Sequence, residues 1–281
     1  MENFPDFVCR KLGDSSIWVA PEYAAPADVA LLADPDLLFE GPASEIIKDQ
    51  RKIKVARIHI IAGGKARTLY LKRYNAFSWR YRLVSLITPS GASRSLAGAG
   101  ILMSAGFRTG QPIAAVECRS WGMLTKSFYI SEEIVGSKTA DVYWREALAL
   151  LSGREGFLRR RKFLVSLAKL FRSLHRLSIY HNDLKDANIL VCSGNSHGDE
   201  SFYLLDLEGI RRYRYLNRRR QFKNLVQLNR TMGRFLRRTD KLRWLKGYLG
   251  DIFMDRGERR KWIKKVLEES VRRDRRSLRK G

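Results

Sequence analysis

The run Tyr180-His181-Asn182-Asp183-Leu184-Lys185-Asp186-Ala187-Asn188-Ile189-Leu190-Val191 constrains this chain more than any other segment. Its polar and apolar residues follow no helical period, so it reads as a loop. The closing Ile189-Leu190-Val191 reads as the strand that anchors it.

The spacing inside the run is H-x-D-L-x-x-x-N, and that set has a chemical use. Phosphoryl transfer from ATP needs a carboxylate to take the proton of the attacking hydroxyl. It also needs oxygen ligands to hold magnesium on the phosphates. Asp183 is the candidate base. Asn188, five residues on, reaches back with its amide oxygen to a metal, and Lys185 steadies the transferring phosphate. His181 reads as architectural, holding the loop by hydrogen bonds. Further on, Leu204-Leu205-Asp206-Leu207-Glu208-Gly209 places an aspartate at the end of an apolar strand, three residues before a glycine. Kinases usually write this metal-ligand segment D-F-G. Here it is longer by one residue and lacks the Phe, and Asp206 is the candidate second ligand. Upstream, Lys72 follows Leu71 in a strand after a hairpin, the place of the V-A-I-K lysine that pairs with the α- and β-phosphates. Each piece alone is weak. Their order along the chain carries the reading.

The flanking patterns supply a scaffold. Residues 1–40 hold Pro5, Pro21, Pro26 and Pro35 and read as an irregular N-terminal extension with one short helix. Residues 45–74 are strand-like, with β-branched Ile53, Val55, Ile58, Ile60 and Ile61 and a turn at Ala62-Gly63-Gly64-Lys65. A helix is expected at 93–105, and strands at 113–118 and 126–134. A core-facing helix is expected at 157–175, then a loop at 192–201, a short strand at 202–205, and helices from Arg219 to the end. The fold class is therefore α+β and two-lobed: a β-rich N-lobe at 41–135, a helical C-lobe at 136–256 and a basic C-terminal helix at 257–281. A length of 281 residues, 44% apolar, suits two lobes with a sizeable core.

In these segments the chain resembles the bacterial lipopolysaccharide kinase family, protein-kinase-like enzymes that phosphorylate Kdo or heptose sugars of the inner core. The resemblance covers roughly residues 45–250. It is carried by Leu69-Tyr70-Leu71-Lys72-Arg73-Tyr74, Gly106-Phe107-Arg108-Thr109-Gly110-Gln111-Pro112, the loop at 180–191, Leu204–Gly209, the 225–233 segment, and Arg238-Thr239-Asp240-Lys241-Leu242. It implies ATP and Mg2+ as cofactors, a sugar hydroxyl as acceptor, and adenine against Glu132-Glu133-Ile134. Two departures stand out. The turn at 48–52, which matches the phosphate-covering G-x-G-x-x-G, has no glycine, so Arg51 or Lys52 supplies charge instead. The helix at 93–105 has no acid, which leaves the usual glutamate partner of Lys72 unidentified.

Composition bears on partners. Lys and Arg number 54 against 29 Asp and Glu, a formal charge of +25. Such an excess points to something anionic. Arg211, Arg212, Arg214, Arg218, Arg219 and Arg220 follow Gly209, where a kinase holds its acceptor, and suit an anionic glycolipid. The 258–280 stretch sets Trp262, Ile263, Val266, Leu267 and Val271 at near-helical spacing. It reads either as a face lying on an anionic membrane or as a docking helix with a solvated back. No nucleic-acid partner is expected. Three unevenly spaced cysteines argue against a disulfide framework. The N-terminus lacks a signal pattern, and no run of about 18 apolar residues exists. A cytoplasmic protein, peripheral at the inner face of the cytoplasmic membrane, is expected. Two rivals share parts of this pattern. One is a small-molecule phosphotransferase of the aminoglycoside-kinase type, whose pockets are typically acidic. The other is a degenerate kinase fold serving as a binding module.

Overall fold

The computed structural model describes residues 4–62, 64–194 and 200–279. Gly63 of the expected turn, residues 195–199 of the expected loop and the extreme termini lie outside the described residues. The chain divides into two compact units, Met1–Val135 and Gly136–Gly281.

The first unit is built on a seven-stranded antiparallel sheet. Residues 1–40 are not the irregular extension the prolines suggested. They form β1 (Val8–Leu12) and β2 (Ser15–Val19), then helices α1 (Pro26–Ala33) and α2 (Leu37–Glu40). Pro26 opens α1 and Pro21 a 3-10 turn, positions where a missing N–H costs nothing. The other strands are β3 (Ser44–Gln50), β4 (Ile53–Ala62) and β5 (Lys65–Asn75). After helices α3 (Trp79–Val84) and α4 (Gly91–Ser104) come β6 (Pro112–Ser120) and β7 (Met123–Glu132). The spatial order is β1-β2-β6-β7-β5-β4-β3. β2 pairs with β6 from Ser15↔Cys118 to Val19↔Ala114, so the N-terminal segment belongs to the sheet.

The two faces of this sheet are covered differently. On one, Tyr23, Val29, Leu32 and Phe39 close over Ile17, Ile58, Leu69, Leu71, Val116, Phe128 and Ile130 in one buried cluster. On the other lies α4, made of small residues, with Ala92, Ser93, Ser95, Leu96 and Ala99 buried. Ser90 caps it, its side chain accepting the Ser93 N–H at 3.0 Å. Gly91 rests on the Tyr74 ring, where a Cβ would come within 2.5 Å of the ring carbons. Only glycine permits that approach, and the Tyr74 hydroxyl meets Ser95 Oγ at 2.8 Å.

The second unit is mainly helical. After β8 (Lys138–Thr139) and α5 (Ala140–Tyr143), α6 (Gly153–Arg176) buries Phe163, Leu164, Leu167, Ala168, Phe171 and Leu174. Next come β9 (Ile179–His181), β10 (Ile189–Ser193), β11 (Glu200–Leu204) and β12 (Ile210–Arg212), followed by α7 (Arg218–Arg230), α8 (Arg238–Leu249) and α9 (Arg256–Leu278). The strands form two small sheets, β11-β10-β8 and β12-β9. One apolar residue of α9 is turned fully inward. Trp262 is buried and packs on Phe222 of α7 with ring centroids 4.1 Å apart. Burying such a ring contributes about 2–3 kcal/mol. Trp262 docks this stretch on the second unit, while Leu267 and Val271, about half exposed, remain on its surface. No helix among the described residues is long and apolar enough to cross a membrane.

Candidate active site

The loop between β9 and β10 is held from below by His181, which is buried. Its Nε2 lies 2.7 Å from the Leu205 carbonyl, so that nitrogen carries the proton and donates. Its Nδ1 is then the acceptor for the Asp183 N–H at 3.2 Å. Burial depresses its pKa below the ordinary histidine value, which keeps the ring neutral and both bonds in place. One histidine thus ties the strand end before Asp206 to the backbone of Asp183.

Asp183 and Asp186 sit three residues apart in opposite surroundings. Asp186 is buried, takes the Ala187 N–H at 2.9 Å, and has its pKa raised by burial. It closes the 3-10 turn Asp186–Asn188 from inside. The Asp183 side chain is 39% exposed. Its Oδ2 meets Lys185 Nζ at 2.7 Å and accepts from Asn188 Nδ2 at 3.1 Å, while its Oδ1 accepts from Gln227 Nε2 at 3.2 Å. Three donors fix the orientation of this carboxylate. Of the two acids, only Asp183 can meet an incoming hydroxyl.

The metal-ligand candidates are adjacent through a strand ladder. Ile189 pairs with Leu204, and the Leu205 N–H donates to the Asn188 carbonyl at 3.0 Å. Asp206 follows at once with a left-handed backbone, φ 58 and ψ 56, a conformation that aspartate and asparagine tolerate best after glycine. The extra residue relative to D-F-G is taken up by the 3-10 turn Leu207–Gly209. Gly209 then lies against Asn182, where a Cβ would stand 2.8 Å from the Asn182 Cβ. The donor set suits magnesium. Asn188 spends its Nδ2 on the Asp183 carbonyl at 2.7 Å and on its carboxylate, leaving the amide oxygen as the ligand atom. One amide oxygen and one carboxylate are hard donors of the kind magnesium takes alongside phosphates and water.

A buried network behind the loop was missed from the sequence. On α7, Asn224 is fully buried and donates to the His181 carbonyl at 2.6 Å and to Gln227 Oε1 at 3.0 Å. Gln227 in turn donates to the Asn182 carbonyl at 2.9 Å and to Asp183. Asn224 Oδ1 is met by His175 Nε2 of α6 at 3.0 Å, and His175 Nδ1 by the Tyr248 hydroxyl of α8 at 2.8 Å. Three helices therefore converge on one carboxylate. Burial pushes the His175 pKa down to about 4, so the ring is neutral. The signal was present as two amides three apart, Asn224 and Gln227, among Phe222, Leu225, Val226 and Leu228 on a core helix. Lys223 was also missed; its Nζ meets Asn182 Oδ1 at 2.7 Å.

The remaining candidates of the second unit are basic. Arg211 and Arg212 are exposed on β12, and Arg211 donates to the Glu208 and Ile210 carbonyls at 3.1 and 2.8 Å. Arg218, Arg219 and Arg220 form the first turn of α7. Arg218 pairs with Glu258 at 3.2 Å, and Arg220 covers the Tyr213 ring at 4.0 Å. Cations at a helix N-terminus oppose its dipole, so this turn is stabilised by an anion.

In the first unit, β5 sets an order. Leu69 pairs with Glu132, Lys72 with Tyr129, and the Asn75 N–H donates to the Lys52 carbonyl at 3.0 Å. From Glu132 past Lys72 to the β3–β4 turn is about 20 Å along the strand. Arg51 and Lys52 form that turn between paired Gln50 and Ile53, and Lys52 Nζ lies 4.7 Å from the Phe77 ring centroid. The Glu132 side chain is committed, accepting from Arg67 at 2.6 Å and from the Tyr23 hydroxyl at 3.0 Å. Burial and that acceptor raise Tyr23 to about 12. Ile134 follows on the exit from β7. α4 carries no acid, as its sequence required.

The model of the lipopolysaccharide kinase (Kdo/WaaP) family matches residues 62–248. Among solved structures, one described as WaaP in complex with acyl carrier protein is similar over 87% of this chain and 96% of that one, with a TM-score of 0.62. At 20% identity, this likeness speaks for the α+β kinase-like fold alone. No curated protein matches the chain.

Proposed function

Since the chain belongs to the lipopolysaccharide kinase (Kdo/WaaP) family, and is thereby a phosphotransferase with a hydroxyl acceptor, we propose that it moves the γ-phosphate of ATP to a hydroxyl of Kdo or heptose in the lipopolysaccharide inner core. The observation that carries this reading is the fixed Asp183 carboxylate, flanked by Lys185 and backed by Asn188 and Gln227. Asp183 accepts the proton of the attacking sugar hydroxyl. Lys185 lies close enough to that carboxylate to offset charge on the moving phosphoryl group. Asn188 and Asp206 would hold Mg2+, which supplies charge neutralisation on the phosphates when bound. Lys72 serves the α- and β-phosphates, Arg51 and Lys52 add charge from the turn, and Glu132 and Ile134 offer backbone groups to adenine. Arg211, Arg212, Arg218, Arg219 and Arg220 hold the anionic acceptor.

A carrier-protein partner, as in the WaaP structure, is supported by one further feature. A cavity of about 600 Å³ lies among α7, α8 and α9, lined by apolar Leu225, Leu228, Leu236, Trp244, Ile263 and Val266, with Arg238 and Lys241 beside them. It suits the acyl chain of an acidic carrier.

The test is incubation with ATP and Mg2+ on purified core oligosaccharides ending in Kdo or in heptose, read by mass spectrometry. A phosphate added to one sugar fixes the acceptor. No transfer to either, with intact ATP binding, overturns the reading.

A further inference from the structure

The acceptor proposed above is a glycolipid, and the one fully buried apolar residue of α9, Trp262, packs on α7. Another surface, wholly within the first unit, carries apolar side chains that have no place in the core. Residues 77–89 run from β5 to α4 with α3 at their centre. Trp79 and Ile87 are 67% and 87% exposed, and Leu83, Val84 and Leu86 are exposed beside them. The segment is ordered by its own turns, the Leu86 and Ile87 N–H groups both donating at 3.1 Å to the Leu83 and Val84 carbonyls. Ser85 alone turns inward, and its hydroxyl accepts the Leu124 N–H at 2.9 Å. The Arg119 guanidinium bridges the Ser85 and Gly122 carbonyls at 3.3 and 2.9 Å, so the segment and the β6–β7 turn form one surface.

At that turn stands Trp121, 95% exposed with φ 54. Two-residue turns with a left-handed first position favour asparagine, aspartate or glycine, and a bulky residue there costs roughly 1 kcal/mol. Trp121 buries almost nothing in return, so its presence is not explained by folding. The charge around it is mainly basic: Glu117 is buried and paired with Arg119 at 2.9 Å, and Asp14, whose carbonyl takes the Arg119 N–H, is an exposed acid close to the turn. From Gln50 through Val116 the sequence contains no Asp or Glu, and Arg80, Arg82 and Arg94 border the apolar residues. Exposed tryptophans among aliphatic side chains and an excess of arginines match the headgroup region of an anionic bilayer.

We propose that Trp79, Leu83, Val84, Leu86, Ile87 and Trp121 form a membrane-anchoring face that inserts shallowly into an anionic lipid surface. The proposal deepens the functional reading above and rests on its lipid-borne acceptor. The combined variant Trp79→Gln, Ile87→Gln, Trp121→Asn is compared with the full chain for sedimentation with vesicles of phosphatidylglycerol and phosphatidylethanolamine. Partition falls roughly tenfold or more, quenching of tryptophan emission by brominated acyl chains drops, and phosphorylation of vesicle-borne acceptor falls with it. Phosphorylation of delipidated, water-soluble core stays as it was. The single Trp121→Asn variant unfolds at a temperature no lower than the parent, because asparagine accepts the left-handed turn. Unchanged partition of the combined variant overturns the proposal. So does equal loss on soluble and vesicle-borne acceptor. Loss of self-association without loss of vesicle binding assigns the face to a second copy and overturns it too. If the parent phosphorylates neither acceptor, the functional reading fails, and the vesicle measurement still decides the face.

Discussion

The loop between β9 and β10 and the β3–β4 turn are held mostly by different kinds of bond. The loop hangs on side chains: His181, Asn188, Asn224 and Gln227 each reach a specific atom of Asp183 or its neighbours. The turn hangs on backbone. Gln50 and Ile53 pair across it, the Asn75 N–H donates to the Lys52 carbonyl, one side-chain bond joins from Asn75 Nδ2 to the Arg51 carbonyl, and Lys52 Nζ lies over the Phe77 ring. Neither Arg51 nor Lys52 takes a left-handed φ, so the turn forms without the glycines of G-x-G-x-x-G. The difference teaches where side-chain identity counts. In the loop, each substitution removes a bond that orients a reacting group. In the turn, a substitution changes charge and leaves the geometry alone.

Five changes would break or sharpen that contrast. Asp183→Ala should lower turnover roughly 10²–10⁴-fold, with ATP binding retained in a calorimetric titration; turnover near the parent's would remove Asp183 from its role. Asp206→Asn keeps the backbone conformation and removes a charge. Nucleotide affinity in Mg2+ should fall by about tenfold or more, and a thermal-shift titration that shows the same Mg2+ dependence as the parent would count against the assignment. The His175 site predicts a pH effect on stability. Its pKa drops from 6.5 to about 4 on folding, so the unfolded chain binds more protons in that window. Stability is full above pH 6.5 and is lost as pH falls toward 4, by up to about 3 kcal/mol. Denaturant melts across that range should show the slope, and His175→Gln should reduce it, leaving the part that belongs to His181, whose pKa burial also lowers.

Gln227→Ala loosens one oxygen of Asp183 from a helix and should lower kcat by roughly 10–100-fold with little change in KM for ATP. Equal loss in kcat and ATP affinity would point to unfolding of the loop instead. The smallest effect belongs to the turn. Replacing Arg51 and Lys52 together by Gln should raise KM for ATP about two- to fivefold, less at high salt, as exposed charges are screened. A loss as large as that from Gln227→Ala would show the turn to be as specific as the loop.

What was legible in the sequence follows the same division. The loop between β9 and β10 was legible because its polar and apolar residues follow no helical period and end in the apolar run of β10. α6 was legible because Phe163 to Leu174 recur at helical period over many turns. The N-terminal strands were not. β2 offers three consecutive apolar residues, Ile17, Trp18 and Val19, after two serines, and its stability comes from pairing with β6 about a hundred residues later. Nothing local reports that partner. Asn224 and His175 were hidden for a related reason. Each is a buried polar residue on a helix that also carries many exposed ones, so its purpose appears only when the helices converge. α3 was too short, and too apolar on its outer side, to give an amphipathic pattern.

Gly209 carries a consequence for inheritance. Its backbone is not left-handed, so what it needs is space: any other residue would set a Cβ 2.8 Å from the Asn182 Cβ. Every missense change of a glycine codon adds that carbon, so no single mutational step at this position is mild. The residue displaced is the neighbour of Asp183. In a saturation scan, position 209 should behave like a member of the active site although its hydrogen atom reacts with nothing. A relative that carries another residue there should also have changed at the position of Asn182, or have given up phosphoryl transfer, and a paired Gly209→Ala, Asn182→Gly variant that regains more activity than Gly209→Ala alone would show the two positions to be inherited as one.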